Sequence, residues 1–293
     1  MIHRAASLLK PRDDRAGIGF TAHYTSQVWV RNGLSHPALG SATGRFLHRA
    51  LRPPMWMGKN ILGISDLDTY LLQRHHILDF LMDRAVEQGA VQVLEPACGL
   101  SPRGFRFMAR HGARLRYVEA DLPAMAARKR ELLDSAGLLA PGHQVVETDI
   151  LAQGGEHSLE AVAEKYLDPD RPVILVTEGL VNYFDFVTMQ TVWERMARIL
   201  SRFPWGLYLA DIVTGHGNPV SQGLLKTSAA LMAWTTGAKT WLHFRSADEV
   251  ARTFRDLGFD RVQAHEPEPF FRFLPLPRSR RKSFIRVLAA EVR

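Results

Sequence analysis

Five short apolar runs, each followed by a segment with helical spacing, lie within residues 91–211. The runs begin at Val91, Arg116, Gln144, Pro172 and Gly206. They recur about every 25–30 residues, and strands that alternate with helices in this way are typical of a parallel sheet. The fourth run, residues 172–177, is almost entirely apolar, as in a strand buried on both faces. We therefore predict an α/β fold with a doubly wound, mostly parallel sheet.

The part of the chain before these runs has a weaker pattern. Residues 1–60 show no clean apolar period, although residues 24–34 have the spacing of a short helix. Arg52-Pro53-Pro54 is expected to break the chain, because proline inside a helix removes a hydrogen bond. From residue 65 to residue 88, apolar side chains recur at three- and four-residue steps, which predicts a helix that carries Arg74.

The alternation is interrupted once and then resumes. Residues 214–245 follow the fifth run, and residues 224–234 within them are predicted to form an inserted helix. A helix over residues 247–257 comes next, with further strands predicted near residues 261–264 and 284–290. The chain therefore has an insertion after its fifth strand.

Composition excludes several classes of protein. With 46% hydrophobic and 23% charged residues, the chain is neither disordered nor a collagen-like or coiled-coil rod. The single cysteine, Cys98, excludes an intrachain disulfide and a cysteine-cluster zinc site. No apolar stretch matches a signal peptide or approaches the roughly 20 residues of a membrane helix. We expect a soluble, cytoplasmic protein with no membrane partner.

The net charge of +7 is unevenly distributed. Residues 1–75 contain 10 Lys/Arg against 4 Asp/Glu, and residues 267–293 contain 7 against 2, whereas the middle is mildly acidic. This distribution permits an anionic small substrate and a nucleic acid equally well. A nucleic-acid partner would need both basic ends to form one continuous face, so we consider nucleic-acid binding the less favoured interpretation.

In a doubly wound sheet, ligands bind beyond the carboxyl ends of the strands. The first run ends in the small-residue turn Glu95-Pro-Ala-Cys-Gly99-Leu-Ser101, which lets the backbone approach a ligand closely. Acidic side chains lie at the ends of all five runs: Glu95, Asp121, Asp149, Glu178 and Asp211. Any one could be a helix cap, but five together favour a polyhydroxylated, amine-bearing ligand over a pyrophosphate. This points to S-adenosylmethionine more than to NAD.

Six segments of the chain resemble the leucine carboxyl methyltransferase family, especially its bacterial branch of polyketide O-methyltransferases. They are YTSQVWVRNGLSHPA, the helix of Arg74, LEPACGLSPRGFRF, YVEADLPAMAARKRELL, ETDIL and VTEGLVNYF. The resemblance implies a class I methyltransferase (Rossmann-like) fold with seven strands, the last antiparallel. It also implies a helical N-terminal lid over residues 1–75 and a methyltransferase domain over residues 76–293. Residues 214–245 of that domain would contribute to the acceptor pocket.

The resemblance assigns roles to the strand-end residues. Arg74 matches the arginine that pairs with the methionine carboxylate of S-adenosylmethionine, and Asp121 matches the acid that binds its ribose. Asp149 and Ile150 match the adenine pocket, and Glu178 matches the acid after strand four. The remaining predicted cofactor contacts lie in the first turn, at Glu95, Ala97, Gly99 and Ser101.

Two positions depart from the family pattern. The family has glycine where Ala97 stands, and alanine is tolerated there at little cost if its backbone is not left-handed. The family has an aspartate-threonine pair where Ser101 and Pro102 stand, which leaves the contacts of Ser101 and Arg103 open.

The predicted reaction is methyl transfer to oxygen. A carboxylate acceptor needs no general base, whereas a phenol or alcohol usually does. Tyr183 and His216 are the candidate groups on the acceptor side, but neither is an unambiguous base. We therefore favour a carboxylate or acidic hydroxyl of a small, polyketide-like molecule, with a protein C-terminus as a further acceptor.

Three other functions are compatible with the same strand ends. A nucleic-acid methyltransferase would keep the cofactor site, but it would need the two basic ends of the chain to form one continuous face. A nicotinamide-dependent oxidoreductase would use the turn after the first run, but that turn is an imperfect match to a dinucleotide site. A protein that binds the cofactor without catalysis would also keep these residues. The adjacent His75 and His76 cannot face one ion from one side of a helix, so no metal site is expected.

Overall fold

The computed structural model describes residues 14–61, 67–214, 241–278 and 282–293. Its centre is one seven-stranded sheet with the order β3-β2-β1-β4-β5-β7-β6. The strands are β1 (Gln92–Pro96), β2 (Arg116–Asp121), β3 (His143–Glu147), β4 (Val173–Thr177), β5 (Gly206–Val213), β6 (Arg261–His265) and β7 (Ile285–Val292).

The sheet is parallel except at β7. Strand β1 pairs in parallel with β2 on one side and β4 on the other, which makes it the point where the strand order reverses. Strand β7 runs antiparallel between β5 and β6. The predicted doubly wound, mostly parallel sheet of seven strands, the last antiparallel, is therefore confirmed.

Eight α-helices of at least eight residues lie within the described residues. They are α1 (Asp14–Arg31), α2 (Ala42–Ile61), α3 (Leu67–Glu87), α4 (Arg103–His111), α5 (Pro123–Ser135), α6 (Leu159–Tyr166), α7 (Phe186–Leu200) and α8 (Ala247–Asp256). The predicted inserted helix at residues 224–234 falls outside the described residues. In the part of the chain that the structure describes, no helix is long and apolar enough to cross a membrane.

The sheet is covered on both faces, as the composition of β4 predicts. Val173 and Leu175 point into one apolar cluster, together with Trp193 of α7. Ile174 and Val176 point into the other, together with Leu78 of α3. All four β4 side chains are at most 1% exposed. The strand is apolar throughout because each face must bury its own half of the residues.

The N-terminal helices are longer than predicted. Helix α1 extends to Arg31 from Asp14, although only residues 24–34 showed helical spacing. The reason is that Thr25, Ser26 and Gln27 are buried along with their apolar neighbours. A helix that buries polar side chains has no clean apolar stripe to detect.

The expected break at Arg52-Pro53-Pro54 is wrong, because α2 continues through both prolines to Ile61. Each proline leaves the carbonyl four residues earlier without its helical donor. Those carbonyls belong to Arg49 and Ala50, which are both exposed, so water can satisfy them.

Candidate active site

The turn after β1 is held by the acid at the end of β2. Asp121 accepts a hydrogen bond at Oδ2 from the Gly99 amide (2.7 Å) and at Oδ1 from the Leu122 amide (2.8 Å). Gly99 has a φ of 49°, and a Cβ there would lie 3.4 Å from the Cβ of Ala22 in α1. The turn therefore has helix α1 directly over it, and glycine fits the left-handed conformation without strain.

Ala97 does not meet the condition under which it was expected to be harmless. Its φ is 54°, and among the described residues it is the one non-glycine with a positive φ. The left-handed conformation costs an alanine about 1–2 kcal/mol, because Cβ approaches the carbonyl oxygen that follows it. The turn survives because the Cys98 amide bonds to the Ala120 carbonyl (3.2 Å) and the Ser101 amide to the Cys98 carbonyl (2.9 Å).

We expect Ala97→Gly to stabilise the protein. Relief of the left-handed strain exceeds the added flexibility of the unfolded chain, so the free energy of unfolding should rise by about 1 kcal/mol. Urea denaturation measures this change. The control Ala127→Gly lies at an exposed position inside α5 and should lower stability by roughly 0.5–1 kcal/mol. Equal losses in both variants would contradict strain at Ala97.

A buried lysine lies behind this turn. Lys129 of α5 is inaccessible to solvent, and its Nζ lies 2.9 Å from Oε1 of Glu119 in β2. Burial raises the pKa of Asp121, while the hydrogen bonds from the Gly99 and Leu122 amides and the Lys129 charge oppose that rise. The positive charge of Lys129 therefore favours an ionised Asp121. Lys129 was not identified from the sequence, because a lysine in a helix is usually exposed.

Glu95 is a counterion in this structure. Its side chain is 1% exposed, and its Oε1 accepts from Arg103 Nη1 at 2.7 Å. Its Oε2 accepts from the hydroxyl of Tyr117 at 2.6 Å. Both carboxylate oxygens are thus bonded within the protein, and the contact of Glu95 with the cofactor stays a prediction.

Arg103, whose contacts were left open, is the centre of a buried network of ion pairs. Its Nε donates to Asp79 of α3 (2.8 Å), its Nη1 to Glu95 and its Nη2 to Glu178 (2.5 Å). Burial acts to lower the pKa of Arg103, but Glu95, Glu178 and Asp79 raise it well above its ordinary value. Ser101 lies next to it, 2% exposed, with its hydroxyl accepting from the Arg103 amide at 3.3 Å.

Arg74 joins α3 to the carboxyl ends of β4 and β5. Its Nε donates to Glu178 Oε1 (3.0 Å) and its Nη1 to Asp211 Oδ2 (2.8 Å). Its side chain is 11% exposed, so Arg74 is not an ordinary surface arginine. A Cβ on Gly179 would come within 3.0 Å of Arg74 Nη2, and Gly179 has a φ of 73°. Glycine is therefore required at this position for Arg74 to approach the strand ends.

Glu178 is surrounded by positive and neutral donors. His75 Nδ1 lies 2.9 Å from its Oε2, in addition to the contacts of Arg74 and Arg103. Burial acts to raise the pKa of Glu178, but His75, Arg103 and Arg74 lower it well below its ordinary value. Glu178 is thus an ionised carboxylate that holds two arginines at the carboxyl edge of the sheet.

The predicted adenine pocket follows β3. Asp149 Oδ1 accepts from the Leu151 amide at 3.0 Å, which closes a local turn after β3. Ile150 is 7% exposed, and its carbonyl accepts from Arg195 Nη1 at 2.8 Å. Both residues thus lie at the same carboxyl edge of the sheet as Asp121.

The acceptor side is described only in part. Tyr183 is half-buried in the short 3-10 helix Val181–Tyr183, and its phenol is, after Asp211 and Glu178, among the groups that raise the pKa of Arg74. Tyr183 is therefore a neighbour of Arg74. His216 lies outside the described residues.

The last residues of the insertion, from residue 241 onward, are bonded to the loop after β4. The Trp241 amide donates to the Asn182 carbonyl at 2.9 Å, and the Asn182 side-chain amide donates to the Trp241 carbonyl. His243 Nε2 donates to the Val181 carbonyl at 2.9 Å, and burial lowers the pKa of His243. Asn182 was not identified from the sequence, because its partner lies 59 residues further along the chain.

The turn after β1 also contains the single cysteine of the sequence. Cys98 is 5% exposed, and burial raises its thiol pKa well above the ordinary value, which suits a small apolar filler rather than a nucleophile. Across the described ranges, no group of three or more His, Cys, Asp or Glu side chains could hold a metal ion.

The family model for leucine carboxyl methyltransferase matches residues 38–197 of the chain. These residues contain Arg74, the turn after β1, Asp121, Asp149 and Glu178. No curated protein sequence matches the chain.

Solved structures share the fold at low sequence identity. A candidate methyltransferase from Thermobifida fusca is 16% identical, with a TM-score of 0.55 over 93% of this chain and 94% of that one. An O-methyltransferase family protein from Burkholderia thailandensis is 16% identical, with a TM-score of 0.50 over 85% and 70%. The S-adenosylmethionine-dependent methyltransferase SibL is 13% identical, with a TM-score of 0.51 over 86% of this chain. The chain spans 59% of the length of SibL.

Proposed function

The chain belongs to the leucine carboxyl methyltransferase family, and we propose that it methylates a carboxylate or acidic hydroxyl of a small molecule. Family membership makes it an S-adenosylmethionine-dependent methyltransferase, which disfavours a nicotinamide-dependent oxidoreductase. When bound, the cofactor supplies an electrophilic methyl group on a sulfonium. Our proposal adds the chemical class of the acceptor and the residues that hold each reactant.

The donor set at the carboxyl edge fits this cofactor. Asp121 and Asp149 supply carboxylates for hydroxyl and amino groups at the carboxyl ends of β2 and β3. Arg74 supplies a guanidinium for a carboxylate: its Nε and Nη1 are bonded, whereas Nη2 has no hydrogen-bond partner among the described residues. This free donor at a buried strand end is the observation that carries the proposal.

The proposed catalysis depends on position rather than on a base. Methyl transfer is an in-line displacement, so the protein must hold the acceptor oxygen near the methyl carbon and exclude water. Helix α1 over Gly99 and the contact between Asn182 and Trp241 after β4 would exclude water from this region. We propose that the N-terminal lid, residues 1–75, and the insertion, residues 214–245, contribute to the acceptor pocket, with Tyr183 and His216 as its candidate polar groups.

Replacement of Asp121 tests the cofactor assignment. Asp121→Ala removes a charge-assisted hydrogen bond, so S-adenosylmethionine affinity should fall about 10- to 100-fold. Titration calorimetry measures the affinity, and circular dichroism checks that the variant is folded. Asp149→Ala should weaken binding by a similar factor. The control Asp134→Ala removes an exposed acid of α5 and should bind normally. Wild-type affinity in both strand-end variants would refute the assignment.

The class of acceptor can be tested by the chemistry of the product. The enzyme is incubated with methyl-labelled S-adenosylmethionine and a panel of small carboxylic acids, phenols and alcohols. A methyl ester releases labelled methanol in mild base, whereas an aryl or alkyl methyl ether does not. Labelled esters or ethers of acidic hydroxyls support the proposal. Transfer to nucleic acid, with none to the acid and phenol panels, would contradict it.

A further inference from the structure

The N-terminal helices contain a long stretch without carboxylates. Residues 15–65 include no Asp or Glu, while six Lys and Arg residues lie within them. These six are Arg15, Arg31, Arg45, Arg49, Arg52 and Lys59. Asp68, the first described acid after this stretch, is used inside the protein. It accepts from the Tyr24 hydroxyl at 2.7 Å and lies 3.2 Å from His48 Nε2.

Helix α2 has two distinct faces. Its inner face buries Leu47 and His48 against α1 and α3, at 5% and 7% exposure. Its outer face carries Arg45, Arg49 and Arg52, at positions i, i+4 and i+7, all exposed. This spacing aligns the three guanidinium groups along one side of a helix. Among the described residues, none of the three forms an ion pair.

An aromatic side chain lies beside this row of arginines. Phe46 is 59% exposed, the most exposed of the aromatic side chains that the structure describes. Ala50 and Pro53, also exposed, continue the same strip one and two turns further along α2. We define the outer face of α2 as these six residues: Arg45, Phe46, Arg49, Ala50, Arg52 and Pro53.

We propose that the outer face of α2 binds the surface of an anionic lipid bilayer. A helix that presents aligned arginines next to an exposed aromatic ring is suited to the boundary between headgroups and acyl chains. The guanidinium groups pair with lipid phosphates, while the ring of Phe46 enters the apolar edge. Surface binding of this kind needs no spanning segment, and it extends beyond the proposed methyl transfer.

The composition of this face favours a bilayer over a partner protein. Specific protein interfaces contain paired hydrogen-bond donors and acceptors that fix one orientation. The outer face of α2 contains only cations and apolar groups. It has no carboxylate or amide side chain that would fix one orientation of a partner protein. An anionic lipid surface is laterally uniform, so it binds without a fixed lateral orientation. Each basic residue near such a surface contributes about five-fold to binding, so three contribute about a hundred-fold.

Co-sedimentation with large unilamellar vesicles tests the proposal. Wild-type protein should sediment with vesicles of phosphatidylglycerol and phosphatidylcholine in equal parts, and not with phosphatidylcholine alone. The triple variant Arg45→Gln, Arg49→Gln, Arg52→Gln should bind about a hundred-fold more weakly. The matched control Arg198→Gln, Arg252→Gln, Arg255→Gln removes the same charge from exposed positions on α7 and α8. It should sediment like the wild type.

Further measurements distinguish an anionic lipid surface from other anionic ligands. Phe46→Ser should weaken vesicle binding without changing the charge, and millimolar inorganic phosphate should not compete if intact headgroups are recognised. Thermal unfolding checks that each variant is folded, which is expected because all the substituted side chains are exposed. Equal losses in both triple variants, wild-type binding to neutral vesicles, or no binding at all would overturn the proposal. Tighter binding to polyglutamate or duplex DNA than to anionic vesicles would overturn it in favour of a macromolecular polyanion.

Discussion

Arg103→Met is expected to lower the free energy of unfolding by about 3–5 kcal/mol, because it removes the cation that three buried carboxylates share and leaves Glu95 with the Tyr117 hydroxyl alone. Asp79, Glu95 and Glu178 each lose a charge-assisted hydrogen bond, and none of them is accessible to water to an extent that would compensate. Urea denaturation followed by circular dichroism measures the loss. The control Arg110→Met lies on the same helix with its side chain 41% exposed. It should change stability by less than about 1 kcal/mol.

The pH dependence of stability gives an independent test of the same network. The folded-state pKa of Glu178 lies well below its ordinary value of 4.5, because His75, Arg103 and Arg74 outweigh burial. A lowered folded pKa stabilises the protein above the unfolded value, and that stability is lost as the pH falls below it. Wild-type stability should therefore decline as the pH falls below 4.5, and Arg103→Met should decline less. Identical profiles and identical unfolding free energies would show that Arg103 contributes nothing.

Arg74→Ala is expected to weaken S-adenosylmethionine binding by about 100-fold, through loss of a charge-assisted pair with the cofactor carboxylate. Arg74→Lys keeps the charge but loses the planar fork, so its affinity should fall by a smaller factor. Titration calorimetry measures both.

Adenosine provides the control for Arg74, because it lacks the amino-acid tail. Wild type and Arg74→Ala should bind adenosine equally if Arg74 contacts only the carboxylate. Equal losses for both ligands would show that Arg74 acts by supporting Glu178 and Asp211 instead. Normal binding of both ligands in Arg74→Ala would remove Arg74 from the cofactor site.

The sheet could be predicted because its signals are local. Strands such as β1 and β4 are short apolar runs between turns, and each is within two residues of its predicted bounds. The N-terminal helices were harder because their decisive features are not periodic. Residues 25–27 are polar yet buried. Helix α2 passes through Pro53-Pro54, because water can hydrogen-bond the carbonyls that the two prolines leave without a helical donor.

The position of the candidate site could be predicted from the sequence. Which of its acidic side chains pairs with which basic side chain could not. The edge of a parallel sheet places Asp121, Asp149 and Glu178 near one another from strand order alone. Which acid faces which base depends on how α3 and α4 cross the sheet. Nothing local to Arg103 indicates that it lies among acids from α3, β1 and the end of β4, and its burial was therefore missed.

The antiparallel strand β7 makes the order of synthesis matter for this chain. Strands β1 to β5 can pair with one another as they leave the ribosome, since each of their sheet neighbours within this group has already been made or follows shortly. Strand β6 is different, because its neighbour in the sheet is β7, which is translated later. Until β7 arrives, one edge of β5 is open and β6 has no place in the sheet, and open edges of this kind invite pairing with other chains. Slow translation or early release between residues 265 and 285 would therefore favour aggregation of a chain in which strands β1 to β5 are already paired.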